Sequence, residues 1–462
     1  MKYINAEKIN NLLSAGNKFD AFKIDAILNK AKRLERLALD EAAALLLVQE
    51  PEYLEKIFAA ASFVKDAIYG RRVVLFAPLY ISNLCANRCL YCAFKVDNVL
   101  IKRKSLTDLE IKAQTQWLLA RGHKRILMVC GEGALPGKSN IDYYLQSMKC
   151  IYQAAVGKNK IKRVNVNCAP LEVSEFKKLK NAGIGTFQIF QETYHEATYR
   201  VMHPAGPKSD PDNRLDALER AFVAGIDDLG IGALFGLYDY RFETLGLLSH
   251  VEEMEKKFKI GPHTISVPRL EPAVGAEISI NPPDKISDTE FKKVVAILRL
   301  AVPYTGIILS TRENSDLRDT LLGLGISQIS AESNTSPGGY SSDQQTQAGG
   351  QFSVGDHRSL DEIVATLIEH DYIPSFCAAC YRKSRTGESF MQLARPGTIK
   401  GKCSMNALIT LQEYLDDFAL PLTKSKGYAL IERYFKQLTL VEQKSLQIFF
   451  KHIGSGVRDE YV

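Results

Sequence analysis

The chain of 462 residues contains no apolar run approaching the roughly 20 residues needed to cross a bilayer, so no membrane partner is expected. Its start, MKYINAEKIN, lacks the apolar core of a secretory signal and the Arg/Ser-rich bias of a transit peptide, which reads as a cytoplasmic protein. Excess charge is scarce too: 59 Lys and Arg against 53 Asp and Glu leave +6. Basic groups such as Lys158–Arg163 and Lys177–Lys180 read as solvated helix faces and loop edges, so no nucleic-acid partner is inferred. No internal repeat or low-complexity array is evident. Cysteines are few and odd in number, nine in all, which argues against a fully paired disulfide framework. In a cytoplasmic chain, clustered cysteines read as metal ligands instead.

What is present is an alternation. Residues 5–69 carry apolar residues at helical spacing in AEKINNLLSAG, DAFKIDAILNKAKRLE, EAAALLL and PEYLEKIFAAASFVKDAIYG, the last stopped by Gly70. From Arg71 short β-rich runs alternate with amphipathic helices. Strands are predicted at 72–79, 125–130, 162–167, 184–191, 228–235, 264–269, 304–310 and 326–331, with helices between them at 107–121, 142–155, 173–182, 213–224, 241–258, 288–301 and 314–323. Eight strands separated by helices are what an α/β fold of the (β/α)8 TIM-barrel type requires, with a partial barrel as the alternative. The stretch 333–357, rich in Ser, Gly and Gln, has no period and reads as a long loop or linker. Helices near 359–370, 403–417 and 426–450 follow. The expected organisation is an N-terminal helical extension (1–70), a barrel (71–335) and a mostly α-helical C-terminal domain (336–462).

Six of the nine cysteines form two triplets, Cys85-x3-Cys89-x2-Cys92 and Cys377-x2-Cys380-x22-Cys403. Three thiolates can hold a cubane 4Fe–4S cluster at three irons and leave the fourth open to another ligand. The first triplet directly follows the first strand, at the barrel face where active sites are built. A zinc site is the alternative for either triplet, but zinc usually takes four ligands in paired CxxC-type spacing. Cys130, Cys150 and Cys168 read as ordinary buried thiols.

The first triplet resembles that of the radical S-adenosylmethionine (SAM) superfamily, in which the open iron chelates SAM and one electron cleaves it to a 5′-deoxyadenosyl radical. Tyr91 stands at the aromatic position expected near the adenine, and Phe94 follows the triplet. Cys130-Gly131-Glu132 ends the second strand and resembles the GGE motif that grips the SAM amino group. Cys130 replaces its first glycine, so only Gly131 and Glu132 carry over. Glu192, ending the fourth strand, is a further candidate SAM ligand, or a helix N-terminal acid satisfied by backbone amides.

Over about residues 65–410 the chain is similar to the tyrosine lyase of FeFe-hydrogenase maturation, the HydG family. The similarity runs through FAPLYISNLCANRCLYCAF, FQETYHEATYRVMHPAGPKSD, GIDDLGIGALFGLYDYRFE, GPHTISVPRLEPA, AVPYTGIILSTRE and the second triplet. It implies cleavage of the Cα–Cβ bond of L-tyrosine to p-cresol and dehydroglycine. The latter would become CO and cyanide at an auxiliary 4Fe–4S cluster with a fifth, dangling iron, for assembly of the hydrogenase H-cluster. It also implies as partners a low-potential electron donor such as ferredoxin or flavodoxin, a second radical SAM maturase, a GTPase scaffold, and a free cysteine at the dangling iron. For the tyrosine carboxylate, Arg312 with Ser310 beside it is the best-placed guanidinium, and Arg269 is the runner-up. Imidazole suits iron, and His263, entering the sixth strand, is preferred over mid-helix His250 as its ligand. Two other functions are weighed: a 2-iminoacetate (dehydroglycine) synthase of thiamine thiazole synthesis, whose family lacks the second triplet, and a non-catalytic cluster scaffold.

Overall fold

The computed structural model describes residues 1–15, 20–133, 139–341 and 349–462. All eight expected strands are present: β1 (Arg72–Ser82), β2 (Arg125–Cys130), β3 (Arg163–Asn167), β4 (Phe187–Gln188), β5 (Leu229–Gly232), β6 (Thr264–Ser266), β7 (Gly306–Leu309) and β8 (Gln328–Ser330). Each pairs in parallel with the next, and β8 returns to β1 in the register Val74↔Gln328, Leu75↔Ile329, Phe76↔Ser330. The barrel is closed, so the partial-barrel alternative falls. Parallel strands buried on both faces need near-continuous apolar runs, and β1 (RVVLFAPLYIS) is buried along all but its first residue.

The connecting helices have local start signals. Thr107 and Ser287 each accept from the backbone amide three residues on, while Glu110 and Glu290 reach back, forming capping boxes. Four N-terminal helices, Ala6–Ala15, Ala21–Lys32, Leu39–Leu47 and Pro51–Tyr69, cover one flank of the barrel. The last packs on the helix Asp288–Ala301 and on the C-terminal helix Ile399–Asp417. Among the described residues no helix is long and apolar enough to cross a membrane.

Two readings are corrected. The helix expected over 426–450 is two, Pro421–Gln437 and Leu440–Gly454. The break falls where Thr439 and Glu442 form a new capping box, a stronger local signal than the apolar spacing running through it. A ninth strand of the barrel sheet, β9 (Ile373–Ser375), was not expected. It pairs with Arg72–Val74, the start of β1, ahead of Ala77, where pairing with β2 begins. The C-terminal segment is thereby anchored to the entrance end of the first barrel strand. Of the stretch 333–357, residues 342–348 lie outside the described residues. The rest is loop as expected, though it packs on the barrel mouth.

Candidate functional site

The loop after β1 carries Cys85, Cys89 and Cys92 and is held from several sides. The Arg103 guanidinium donates to the carbonyls of Asn83 (2.9 Å) and Phe94 (2.8 Å), and the Ala86 amide donates to the Glu132 carbonyl (2.9 Å). Gly131 is required by close approach: a Cβ there would collide with the Leu84 carbonyl oxygen. The Tyr91 hydroxyl and His203 Nε2 share a hydrogen bond of 2.8 Å, which fixes the ring beside the triplet.

A cavity of about 180 Å³ opens at this end of the barrel. The three cysteines line it together with Tyr91, Phe94, Gly131, Glu132 and Glu192, and across from them stand Ser310 and Arg312. Arg269 is not among its lining residues. Its Nε lies 3.0 Å from both Glu313 carboxylate oxygens and its Nη1 2.8 Å from Asp288, so its donors are committed to structure. Arg312 is different. Its guanidinium carbon stands over Phe352, 3.3 Å from the ring centroid, and among the described residues no carboxylate is within salt-bridge reach of it. A desolvated cation without a counter-ion, facing a cavity, fits an incoming carboxylate.

Two buried ion pairs floor the cavity, and neither cation was singled out from the sequence. Lys208 Nζ lies 2.6 Å from Glu192 Oε1, and Arg214 Nη1 lies 2.6 Å from Glu132 Oε1. Asn87 donates to the other Glu132 oxygen at 2.7 Å. Burial would raise the Glu132 carboxyl, yet the Arg214 and Lys208 charges hold it below the usual range. The only available signal for Lys208 was its place in the quoted run HPAGPKSD.

Glu192 adopts a left-handed backbone, φ +69°, in the turn Gln191–Tyr194. The turn is pinned by Glu243, whose carboxylate accepts from the Thr193 hydroxyl and from the Tyr194 amide at 2.7 Å. Burial pushes Glu243 up to about 8, with those two donors pulling the other way. The unfolded carboxyl titrates near 4.5, so its stability contribution is full below that value and is lost as pH rises through 8. Urea unfolding of the metal-free chain should therefore show wild type losing on the order of 3–5 kcal/mol relative to Glu243→Gln between pH 5 and 9. Equal pH slopes for the two proteins would contradict this.

The second triplet gathers at the opposite end, beside the start of β1. Cys377 follows β9, Cys380 lies in the short helix Ala379–Arg382 and Cys403 in the second turn of the helix Ile399–Asp417. Together with His263 they line a cavity of about 50 Å³. Burial raises all three thiols. Arg72 and Arg385 also line this cavity, and Arg125 donates to the Cys377 carbonyl at 2.7 Å. The buried Nε atoms of all three arginines have no hydrogen-bond partner among the described residues. Orphaned cationic donors around three thiols fit an anionic iron–sulfur group better than a set of neutral thiols. Among the described residues no three His, Cys, Asp or Glu side chains converge as they would on one metal ion. A cubane differs from such a site, since its thiolates bind separate irons.

His263 Nδ1 lies 3.5 Å from Asp228 Oδ2, and burial lowers its pKa to about 4, leaving a neutral imidazole. His250 instead shares a 3.0 Å hydrogen bond with the Tyr194 hydroxyl inside helix packing. With eleven residues in β1, the two cysteine groups are separated by on the order of 30 Å. Inward polar side chains lie between them: Gln188, Ser266 and Ser330 border the upper cavity, and Gln328 the lower one.

Comparison with known proteins agrees with this layout. The Radical SAM superfamily matches residues 79–247, and the Biotin and Thiamin Synthesis associated domain matches residues 266–373. The 2-iminoacetate synthase of Salmonella typhimurium is 33% identical over 346 residues, 75% of this chain and 88% of that protein. A solved structure of HydG, a maturase of the FeFe-hydrogenase, superposes with TM-score 0.96 at 44% identity over 100% of both chains. HydG from Carboxydothermus hydrogenoformans gives TM-score 0.83 at 41% identity, covering 96% of this chain and 97% of that one.

Proposed function

Since the chain belongs to the radical SAM superfamily and, within it, to the family of HydG, the FeFe-hydrogenase maturase, we propose that it is a tyrosine lyase. It cleaves the Cα–Cβ bond of L-tyrosine to p-cresol and dehydroglycine and converts the latter to CO and cyanide for the hydrogenase active site. The observation that carries this reading is the pair of thiol triads at opposite ends of one barrel, each lining its own cavity.

Cys85, Cys89 and Cys92 would hold a 4Fe–4S cluster with SAM, and Cys377, Cys380 and Cys403 a second cluster extended by an iron on His263. When bound, the first supplies an electron and a hydrogen-abstracting radical, the second a metal that receives small ligands. The protein's own part is positioning. Arg312 takes the tyrosine carboxylate on the N–H edge of its guanidinium, whose face rests on Phe352, with Ser310 beside it. Glu132, held below the usual carboxylate range by Arg214 and Lys208, and Glu192, paired with Lys208, present acceptors to the SAM amino group. The closed barrel wall, lined between the cavities by buried polar side chains, keeps bulk water from the small fragment. Electrons come from a low-potential carrier.

Losing a charge-assisted carboxylate contact costs about 2–3 kcal/mol, so Arg312→Ala should raise the tyrosine KM roughly 30- to 160-fold. Arg312→Lys should recover only part of the loss, because an ammonium cannot bind both oxygens as a planar fork does. An unchanged tyrosine KM in both would remove Arg312 from this role.

The iron assignment is tested by comparing His263→Ala with His250→Ala for iron content and infrared carbonyl bands. The expected result is one iron fewer per chain and no bands in His263→Ala, with p-cresol still formed, and no change in His250→Ala. Loss of the bands in the second variant alone would transfer the role to His250.

A further inference from the structure

The loop 333–357 brings a side chain to the first cysteine group from far along the chain. Gln351 Nε2 lies 3.7 Å from Cys92 Sγ, and Gln351 Oε1 accepts from the Tyr80 hydroxyl at 2.9 Å. A thiolate can only accept, whereas a phenol can donate or accept, so the sulfur decides which end of the amide faces it. The backbone around Gln351 is fixed at both faces. Its amide donates to the Thr335 carbonyl (3.2 Å), and the Ala93 amide, next after Cys92, donates to the Gln351 carbonyl (3.4 Å). The following residues are also tied down, Thr335 Oγ1 donating to the Phe352 carbonyl (3.0 Å) and the Ser353 amide to that of Pro272 (2.8 Å). Among the described residues Cys92 Sγ receives one further donor, the Phe94 amide at 3.4 Å. Among the described residues, no side-chain N–H donates to the sulfur of Cys85 or Cys89.

We propose that Gln351, oriented by Tyr80, is a positioning residue that donates a hydrogen bond to the Cys92 sulfur and raises the reduction potential of the cluster held there. This rests on the reading of the upper triplet as a cluster site. An N–H···S bond stabilises the electron-richer, reduced state more than the oxidised one, and hydrogen bonds to ligand sulfur are among the determinants of cluster potential. The couple is a single electron delivered by an external low-potential carrier. With the donor in place, more of the cluster is reduced at a given solution potential.

The test is an EPR-monitored potentiometric titration of the reconstituted holoenzyme, with the upper cluster identified by the response of its signal to SAM. Gln351→Leu should lower the ratio of reduced to oxidised upper cluster on the order of tenfold at fixed potential, a shift of about 59 mV for a one-electron couple. Gln351→Glu, which exchanges the donor for an anion, should lower it at least as much. Tyr80→Phe leaves the amide in place but unoriented, and should give a smaller shift in the same direction, which keeps the proposal testable if a Gln351 variant fails to fold. Iron content and the potential of the lower cluster should not change. An unchanged upper midpoint in variants with full iron content overturns the proposal, as does an equal shift at both clusters. A wild-type protein that assembles no SAM-responsive cluster would instead sink the reading of the triplet, a failure visible in iron content before any variant is made.

Discussion

Cys89→Ala should abolish SAM cleavage, p-cresol and CO together, down to background, while the lower cysteine group still assembles its cluster. The cause is positional. Cys89 is the most deeply buried of the upper thiols and lies in the same cavity as Glu132, Glu192 and Arg312. On the proposed function, removing one of three protein ligands leaves no stable cubane where the electron must be delivered. The variant should fold, since Cys89 packs on Tyr91, Met202 and neighbouring leucines and Ala keeps the loop's backbone contacts. Quantifying 5′-deoxyadenosine, p-cresol and CO in anaerobic turnover, with EPR of the residual cluster, checks all parts at once. 5′-Deoxyadenosine at close to the wild-type rate would mean that the upper triplet is not the electron source.

Cys377→Ala combined with Cys380→Ala should separate the two halves of the reaction. On the proposed function tyrosine cleavage needs only the upper cavity, so p-cresol should persist, more slowly at most, while CO and cyanide fall to background. The structure gives two reasons for the separation. The lower thiols contribute nothing to the upper cavity, and the distance along β1 is too long for a side chain at one end to act at the other. Loss of p-cresol in parallel with CO would indicate one functional unit, and wild-type CO would show that the lower site is dispensable.

The barrel was readable because its strands obey a local rule. Strands buried on both faces are uninterrupted apolar runs, so β1 and β2 stand out within a few residues of their ends. The predicted run 184–191 shrinks to Phe187–Gln188 as regular strand, although single backbone bonds from Ile189 to Gly230 and from Gln191 to Gly232, and an isolated bridge Glu192–Ala233, carry the contact with β5 further. β9 has three residues, one of them proline, and carries no pattern of its own. The cysteines were legible for the opposite reason, as ligand chemistry dictates spacing. What remained hidden depends on contacts between distant residues. Arg269 and Arg312 look alike locally, and only Glu313 and Asp288, folded against the first, distinguish them. Lys208 and Arg214 matter through Glu192 and Glu132. Gln351 reaches Cys92 across 259 residues from a stretch with the composition of a linker.

The central claim is that one barrel cleaves tyrosine at one mouth and finishes the fragment at the other. The most direct test is the gas and product mixture from the reconstituted wild-type protein, supplied anaerobically with L-tyrosine, SAM and a one-electron reductant. The account predicts p-cresol, CO and cyanide together, with both carbon fragments labelled when the tyrosine is labelled at Cα and at the carboxylate. p-Cresol with glyoxylate but no CO, from protein containing both clusters, would contradict it.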